Sequence, residues 1–183
     1  MIPTFLKRLS GGETCPPRKP FHYIAWSWLG AFVGIYLVST LSQLTHSNLL
    51  DSLFLVGSFG ASAVLIYASP QVEYAQPRNL IGGHIISAII GVTIYKFLSL
   101  DIALLGALAV SLSIVAMHFT RTIHPPGGAT SLIAVIGSAE VHNTGYLFVV
   151  TPIATGAVVM LIVALVVNNI SSNSKRHYPR YWF

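Results

Sequence analysis

Six long stretches of this 183-residue chain contain no Asp, Glu, Lys or Arg, and they constrain its fold more than any other feature. These stretches are 20–50, 52–72, 79–95, 102–120, 122–139 and 141–174. A helix needs about 20 apolar residues to cross the hydrocarbon core of a bilayer, and only 122–139 is broken by several prolines and glycines. Charged residues make up 8% of the chain, against about 25% in a soluble domain. The sequence therefore predicts an all-α, multi-pass membrane protein.

Counting each stretch as one crossing gives six crossings and places both ends of the chain on the same side of the membrane. Cytoplasmic loops carry an excess of Lys and Arg, so both termini are predicted to be cytoplasmic, in the inner membrane if the source is bacterial. The predicted segments are a tail 1–20, transmembrane units 21–98 and 99–170, and a tail 171–183. Lys96 alone falls outside, and nine basic residues fall inside: Lys7, Arg8, Arg18, Lys19, Arg78, Arg121, Lys175, Arg176 and Arg180.

Two of the six stretches contain matching small-residue turns. Gly60-Ala61-Ser62 and Gly128-Ala129-Thr130 are each followed by a short apolar run and then by another full stretch. Superposing the two turns divides the chain into two units of three segments. Because three is odd, the second unit is predicted to be inverted relative to the first. Inverted repeats with a broken helix at corresponding positions are typical of secondary transporters, whose ligand site lies near the bilayer midplane.

The predicted break in the second unit has a local cause. Pro125-Pro126 lacks amide donors and favours extended geometry in the preceding residue. Gly127-Gly128 permits unusual dihedral angles and a close approach of the backbone. The chain is therefore expected to enter the membrane in an extended conformation and to begin a half-helix near Gly128.

An inverted copy of this half-helix is expected to begin near Gly60, so that two helix N-termini face each other at the midplane. Unpaired N–H groups and the positive end of the helix dipole favour an anion at such a place. The hydroxyl groups of Ser62 and Thr130 occupy equivalent positions and can donate to the same anion. The alternative is that both segments are ordinary kinked helices that bind no ligand.

Four further polar residues lie close to the predicted breaks. Arg78 and Arg121 are candidates for attracting an anion into a vestibule, although each can equally serve only as a topology anchor. His124 can hold the turn, contact the anion or carry a proton. His84 falls on one helical stripe with Ser87 and Gly91, and an ionisable residue inside the membrane is by default a functional candidate. The equal alternative is a neutral, hydrogen-bonded histidine with a structural role.

Small residues at spacings of four predict close packing between helices. Gly30 and Gly34 form one such pair, and Gly83, Ser87 and Gly91 form a longer stripe. Within a bilayer this spacing lets two backbones approach closely. The partner helix can belong to the same chain or to a second copy, so a homo-oligomer is one of the alternatives.

Four blocks of sequence occur in a distinctive order. They are Gly60-Ala61-Ser62, Ala75-Gln76-Pro77-Arg78-Asn79, Gly82-Gly83-His84 and His124-Pro125-Pro126-Gly127-Gly128-Ala129-Thr130. Together they resemble the HPP family of integral membrane proteins, which is named for the tripeptide at 124–126, and the resemblance covers most of the chain from about residue 20 to 170. It implies an integral membrane protein, usually described with four spanning helices, and a link to the nitrite transport of plastid and cyanobacterial members. Val72-Glu73-Tyr74 departs from the family pattern, where smaller, uncharged residues are expected.

The leading functional hypothesis is transport of a small inorganic anion, with nitrite preferred because of the resemblance. A channel and a scaffold or sensor subunit without transport are the alternatives. An enzyme is not expected, since no nucleophile with a neighbouring base is evident and the seven histidines form no HExxH motif. No cofactor, metal or nucleic-acid partner is predicted; the expected partners are the anion and the lipid bilayer.

Overall fold

The computed structural model describes residues 9, 13–45 and 49–183, and the regular structure in these residues is helical. Most of the predicted tail 1–20, including Lys7 and Arg8, lies outside this part of the chain. The helices are α1 Phe21–Thr45, α2 Leu49–Ala63, α3 Pro77–Phe97, α4 Ile102–Thr120, α5 Pro125–Ile136, α6 Ala139–Thr144 and α7 Thr155–Ile170. A π-helical turn, Val64–Ala68, extends α2, and another, Val149–Ala154, precedes α7. Single 3₁₀ turns occupy Glu73–Ala75 and Ser174–Arg176.

Four of these segments are long and apolar enough to cross a bilayer: Phe21–Leu44, Pro77–Phe97, Ile102–Thr120 and Val149–Ile170. Leu55–Ala68 and Pro125–Ile136 are shorter apolar helices. The prediction of an all-α membrane protein is therefore confirmed. The finer prediction of six crossings in two inverted repeats stays a prediction.

The half-helix expected to begin near Gly60 is absent, and that prediction is wrong. Helix α2 runs without interruption through Gly60 and continues as the π turn to Ala68. No proline occurs between residues 49 and 68, so every residue there keeps its amide donor. A glycine inside a helix costs only about 1 kcal/mol relative to alanine. The small residues at 60–62 therefore do not break the helix.

The half-helix in the second unit is present, and it begins at Pro125, three residues before the expected position. Arg121 caps the C-terminus of α4 and takes the left-handed conformation (φ 58°). The Thr122 amide donates to the Met117 carbonyl at 2.9 Å, which closes a Schellman motif. His124 is then extended (φ −140°, ψ 101°). Proline is well suited to the first helical position, where its missing N–H is not needed, so the double proline sets the start of α5.

Helix α5 runs parallel to α3 at backbone contact. A Cβ atom added to Gly83 would lie 2.5 Å from the His124 Cβ, and one added to Gly127 would lie 2.8 Å from the Gly83 carbonyl oxygen. Further along, Gly91 packs against the backbone of Ser131 and the Cβ atom of Ala134. The stripe predicted from small residues in α3 thus packs within the same chain. Gly30 and Gly34 serve a different purpose, since their spacing accommodates the ring of Tyr67 rather than another backbone.

The C-terminal segment folds back onto the end of the bundle where α3 begins. The Tyr178 hydroxyl donates to the Ala75 carbonyl at 2.8 Å, and the Arg180 amide donates to Gln76 Oε1 at 2.8 Å. Arg176 is fully buried and donates to the carbonyls of Tyr23 and Tyr67 at 3.1 and 2.8 Å. The segment predicted as a tail therefore fastens α1, α2 and the α2–α3 loop together.

A pair of glycine substitutions tests these contacts. We expect Gly91→Ala to lower the free energy of unfolding by about 1–3 kcal/mol, because the new methyl group would meet the Ser131 backbone and overpack the interface. Gly60→Ala is the matched control, since its methyl group would meet no atom within 4 Å and alanine favours a continuous helix. Thermal unfolding of the purified protein in detergent measures both. A Gly60→Ala variant as destabilised as Gly91→Ala would contradict the continuous α2.

Candidate functional site

Five polar side chains meet inside the apolar bundle and form the polar cluster. They are Ser58 and Ser62 of α2, His84 of α3, His124 before α5, and Thr130 of α5. Ser58 is 2% exposed and the other four are fully buried. A buried polar group must find hydrogen-bond partners, since leaving one unpaired costs about 1–3 kcal/mol. Their contacts with one another are therefore a requirement of the fold.

The cluster is one continuous set of hydrogen bonds. Ser62 Oγ lies 2.8 Å from His84 Nε2 and 2.9 Å from His124 Nε2, so that it bridges the two rings. His84 Nδ1 lies 2.7 Å from Thr130 Oγ1, which lies 2.9 Å from Ser58 Oγ. The centres of the two imidazole rings are 4.9 Å apart. Four of the residues predicted to bind an anion are thus brought together.

Local sequence explains how these side chains converge. Ser58 and Ser62 are four residues apart on α2, and therefore occupy the same face of that helix. His84 directly follows Gly83, whose missing side chain lets the His124 backbone approach α3. Phe59 packs beside the His84 ring with centres 5.0 Å apart and excludes water on that side. The glycine contact therefore sets the positions of both histidines.

The hydrogen-bond partners fix the proton positions at one end of the cluster. His124 Nδ1 lies 2.8 Å from the Tyr74 carbonyl oxygen, which can only accept, so Nδ1 of His124 carries a proton. In the neutral ring, Nε2 is then an acceptor, and Ser62 donates its single hydroxyl proton to it. Ser62 must consequently accept from His84 Nε2. His84 is therefore the Nε2–H tautomer.

The remaining bonds follow from the same reasoning. His84 Nδ1 has no proton and accepts from the hydroxyl of Thr130. Thr130 can then only accept from Ser58, whose single proton can be donated either to Thr130 Oγ1 at 2.9 Å or to the Pro126 carbonyl at 3.0 Å. When Ser58 donates to Thr130, all donors point the same way, from Ser58 towards the Tyr74 carbonyl. A hydrogen-bonded chain with one direction can pass a proton along its length when each member reorients in turn.

The N-terminus of α5 differs from the predicted anion site because its first three residues offer no free amide donor. Pro125 and Pro126 have no N–H group, and the Gly127 amide already donates to the His124 carbonyl at 2.8 Å. Helix α2 has no N-terminus near Gly60, since it begins at Leu49. The prediction of two opposed N-termini is therefore wrong. The groups able to meet an ion here are the hydroxyl and imidazole groups of the cluster.

The other predicted site residues lie outside the cluster. Ala61 and Ala129 face the exterior. Arg78 and Arg121 lie at the end of the bundle, where the Arg78 guanidinium donates to the carbonyls of Thr120 and Arg121 at 2.7 and 3.1 Å. Arg78 thus caps the C-terminus of α4, as expected of a basic side chain at a helix end.

Ser58 is the cluster member that sequence reasoning missed. Its only signal was the spacing of four from Ser62, which places the two hydroxyl groups on one helical face. The Tyr74 carbonyl carried no sequence signal at all. Among the described residues, no group of three or more His, Cys, Asp or Glu side chains is placed to hold a metal ion.

These features define a helical membrane protein with a buried polar cluster beside a short helix that begins at a double proline. The transmembrane region of the HPP family matches residues 16–179, and the chain therefore belongs to that family. Two transmembrane proteins of Dictyostelium discoideum are 46% identical over 185 residues and 45% identical over 181, covering 98% and 95% of this chain. The chain spans 57% and 61% of the lengths of these relatives. No solved structure matches it.

A serine comparison tests the cluster. We expect Ser62→Ala to lower the free energy of unfolding by about 1–2 kcal/mol, because it leaves two buried imidazole nitrogens without partners. Ser113→Ala is the control, since the buried Ser113 hydroxyl has no hydrogen-bond partner among the described residues. Its loss is expected to be neutral or stabilising. Thermal unfolding in detergent measures both, and equal destabilisation would contradict the bridging role of Ser62.

The tautomers provide a second test. We expect His84 to carry its proton on Nε2 and His124 to carry its proton on Nδ1. Nitrogen-15 NMR of histidine-labelled protein in lipid distinguishes protonated from unprotonated ring nitrogens directly. Finding the same tautomer at His84 and His124 would contradict a single direction of the hydrogen bonds in the polar cluster.

Proposed function

We propose that the chain transports a small inorganic anion across the membrane, with nitrite as the first candidate substrate. The observation that carries the proposal is the polar cluster, which concentrates five hydrogen-bonding side chains within an apolar bundle. Ionisable side chains such as those of His84 and His124 are rare within a membrane, and they mark ion pathways and proton relays. The choice of nitrite rests on the resemblance to plastid and cyanobacterial members of the HPP family. The proposal assigns no catalytic residue.

The proposed topology has six crossings with both ends on the cytoplasmic side. Helix α5 is about 18 Å long, and the non-helical residues 122–124 add up to about 10 Å, which together approach the roughly 30 Å of the hydrocarbon core. The contact of His22 Nε2 with Asn173 Nδ2 at 3.2 Å supports placing the start of α1 and the end of α7 on one side. The orientation follows from the positions of Lys and Arg.

The proposed mechanism follows from the burial of the cluster. Ser62, His84, His124 and Thr130 are fully buried, so this conformation is an occluded one. Two hydrogen bonds close the cluster between α2 and the α5 region: Ser62 bonds to His124, just before α5, and Ser58 bonds to Thr130, within α5. An ion gains access when α5 and the segment before it move away from α2 and break these bonds. Hydroxyl and imidazole protons then turn towards the anion. A proton that moves together with the anion neutralises its charge and lowers the free-energy cost of moving the anion through lipid.

Flux measurements in proteoliposomes test the proposal. We expect the protein to carry nitrite, and we expect the double variant Ser62→Ala/Thr130→Val to reduce the rate by about tenfold to a hundredfold, because hydrogen bonds to the anion are lost. Ser113→Ala is the control and is expected to keep the full rate. Comparing nitrite, nitrate, chloride and formate, with and without a pH gradient, determines selectivity and proton coupling.

Each outcome of the flux experiment has a distinct meaning. Unchanged nitrite flux in the double variant, with or without Arg121→Gln added, would contradict the assignment of the site. A correctly folded wild-type protein that carries none of the four anions would contradict transport and favour a scaffold or sensor subunit.

A further inference from the structure

A basic cavity lies at the end of the bundle where α1 begins and the C-terminal segment folds back. Its volume is about 660 Å³, which lies within the range typical of ligand sites. Arg18, Lys19 and Lys175 line it, together with uncharged residues that include Gln71 and Asn173. No acidic residue lines the cavity, and among the described residues no ion pair is formed by its three cations. The residues that line the cavity therefore carry a net charge of +3.

A buried cation behind the cavity strengthens this field. Arg176 is fully buried, and its guanidinium lies 4.4 Å from the centre of the Tyr23 ring, which lines the cavity. Its other partners, which include Ser27 Oγ and Asn168 Oδ1, are all neutral. Its Nε atom is buried without a partner among the described residues. Burial lowers the pKa of this guanidinium, and a nearby anion would offset the cost of burying its charge.

The position of the cavity favours a lipid over a soluble anion. Lys19 and Tyr23 flank the first turn of α1, where Phe21 is 77% exposed. Further along α1, the exposed rings of Trp28, Phe32 and Tyr36 stack in a row. These exposed rings form an apolar face suited to acyl chains, and basic residues next to a membrane helix attract anionic headgroups.

We propose that this cavity binds the phosphate headgroup of an anionic phospholipid, with Arg18, Lys19 and Lys175 contacting the phosphate. The side-chain amides of Gln71 and Asn173 already bond to the His177 carbonyl and to His22 Nε2, and the second N–H of each amide can donate to the polar part of the headgroup. The acyl chains extend along the exposed face of α1. This site is separate from the polar cluster, and the inference does not depend on the transported substrate.

Native mass spectrometry of the full chain in detergent, titrated with phosphatidylglycerol or phosphatidylcholine, tests the site. We expect phosphatidylglycerol to bind and phosphatidylcholine to bind at least about tenfold more weakly. Lys19→Gln/Lys175→Gln is expected to weaken phosphatidylglycerol binding roughly twentyfold, since each juxtamembrane cation contributes about a factor of five. Both side chains are exposed, so the variant should keep its fold.

Lys96→Gln is the matched control. Lys96 lies in the last turn of α3, whereas the cavity lies at the end of the bundle where α3 begins, and Lys96 does not line the cavity. This variant is expected to bind phosphatidylglycerol as the wild type does. Equal binding by Lys19→Gln/Lys175→Gln and Lys96→Gln would overturn the proposal. Displacement of the lipid by inorganic phosphate at a similar concentration would also overturn it, because the site would then recognise a free anion.

Discussion

Backbone contact between α3 and α5 is the interaction on which the rest of the structure depends. Gly83 and Gly127 remove the side chains that would otherwise keep these parallel helices apart. Lipid offers no hydrophobic force to hold two helices together, so close packing and hydrogen bonds must do so. The same contact brings His124 against α3 and places its ring 4.9 Å from that of His84. Helix packing and the polar cluster therefore have one structural cause.

The polar cluster, in turn, connects the half-helix to α2. Ser58 and Ser62 bond to groups of the α5 segment, while His84 bonds across to Thr130. Helix α5 has only 12 residues, and two of its first three positions are prolines without amide donors. Such a short helix gains much of its stability from contacts with its neighbours. The hydrogen bonds that make the cluster a candidate site also hold this helix in place.

Much of this arrangement could be predicted from local chemistry. The double proline at 125–126 determined where α5 begins, and the stripe from Gly83 to Gly91 indicated a close helix contact. The break expected at Gly60 was wrong because glycine only permits a break, whereas proline enforces one. Ser58 and the Tyr74 carbonyl were missed because their roles depend on contacts between distant parts of the chain. A kink at Thr151 (φ −128°, ψ 118°) was also missed, although Pro152 follows it.

The α2–α3 loop joins the polar cluster to the basic end of the protein. The Tyr74 carbonyl of this loop accepts the last bond in the series of hydrogen bonds that begins at Ser58. The same loop is held by Gln76, which donates to the Pro70 carbonyl at 2.9 Å and accepts from the Arg180 amide. Its first residues, including Gln71, line the basic cavity. If a change at the cavity moves this loop, the Tyr74 carbonyl therefore moves with it. That carbonyl is the acceptor that fixes the direction of the hydrogen bonds in the polar cluster.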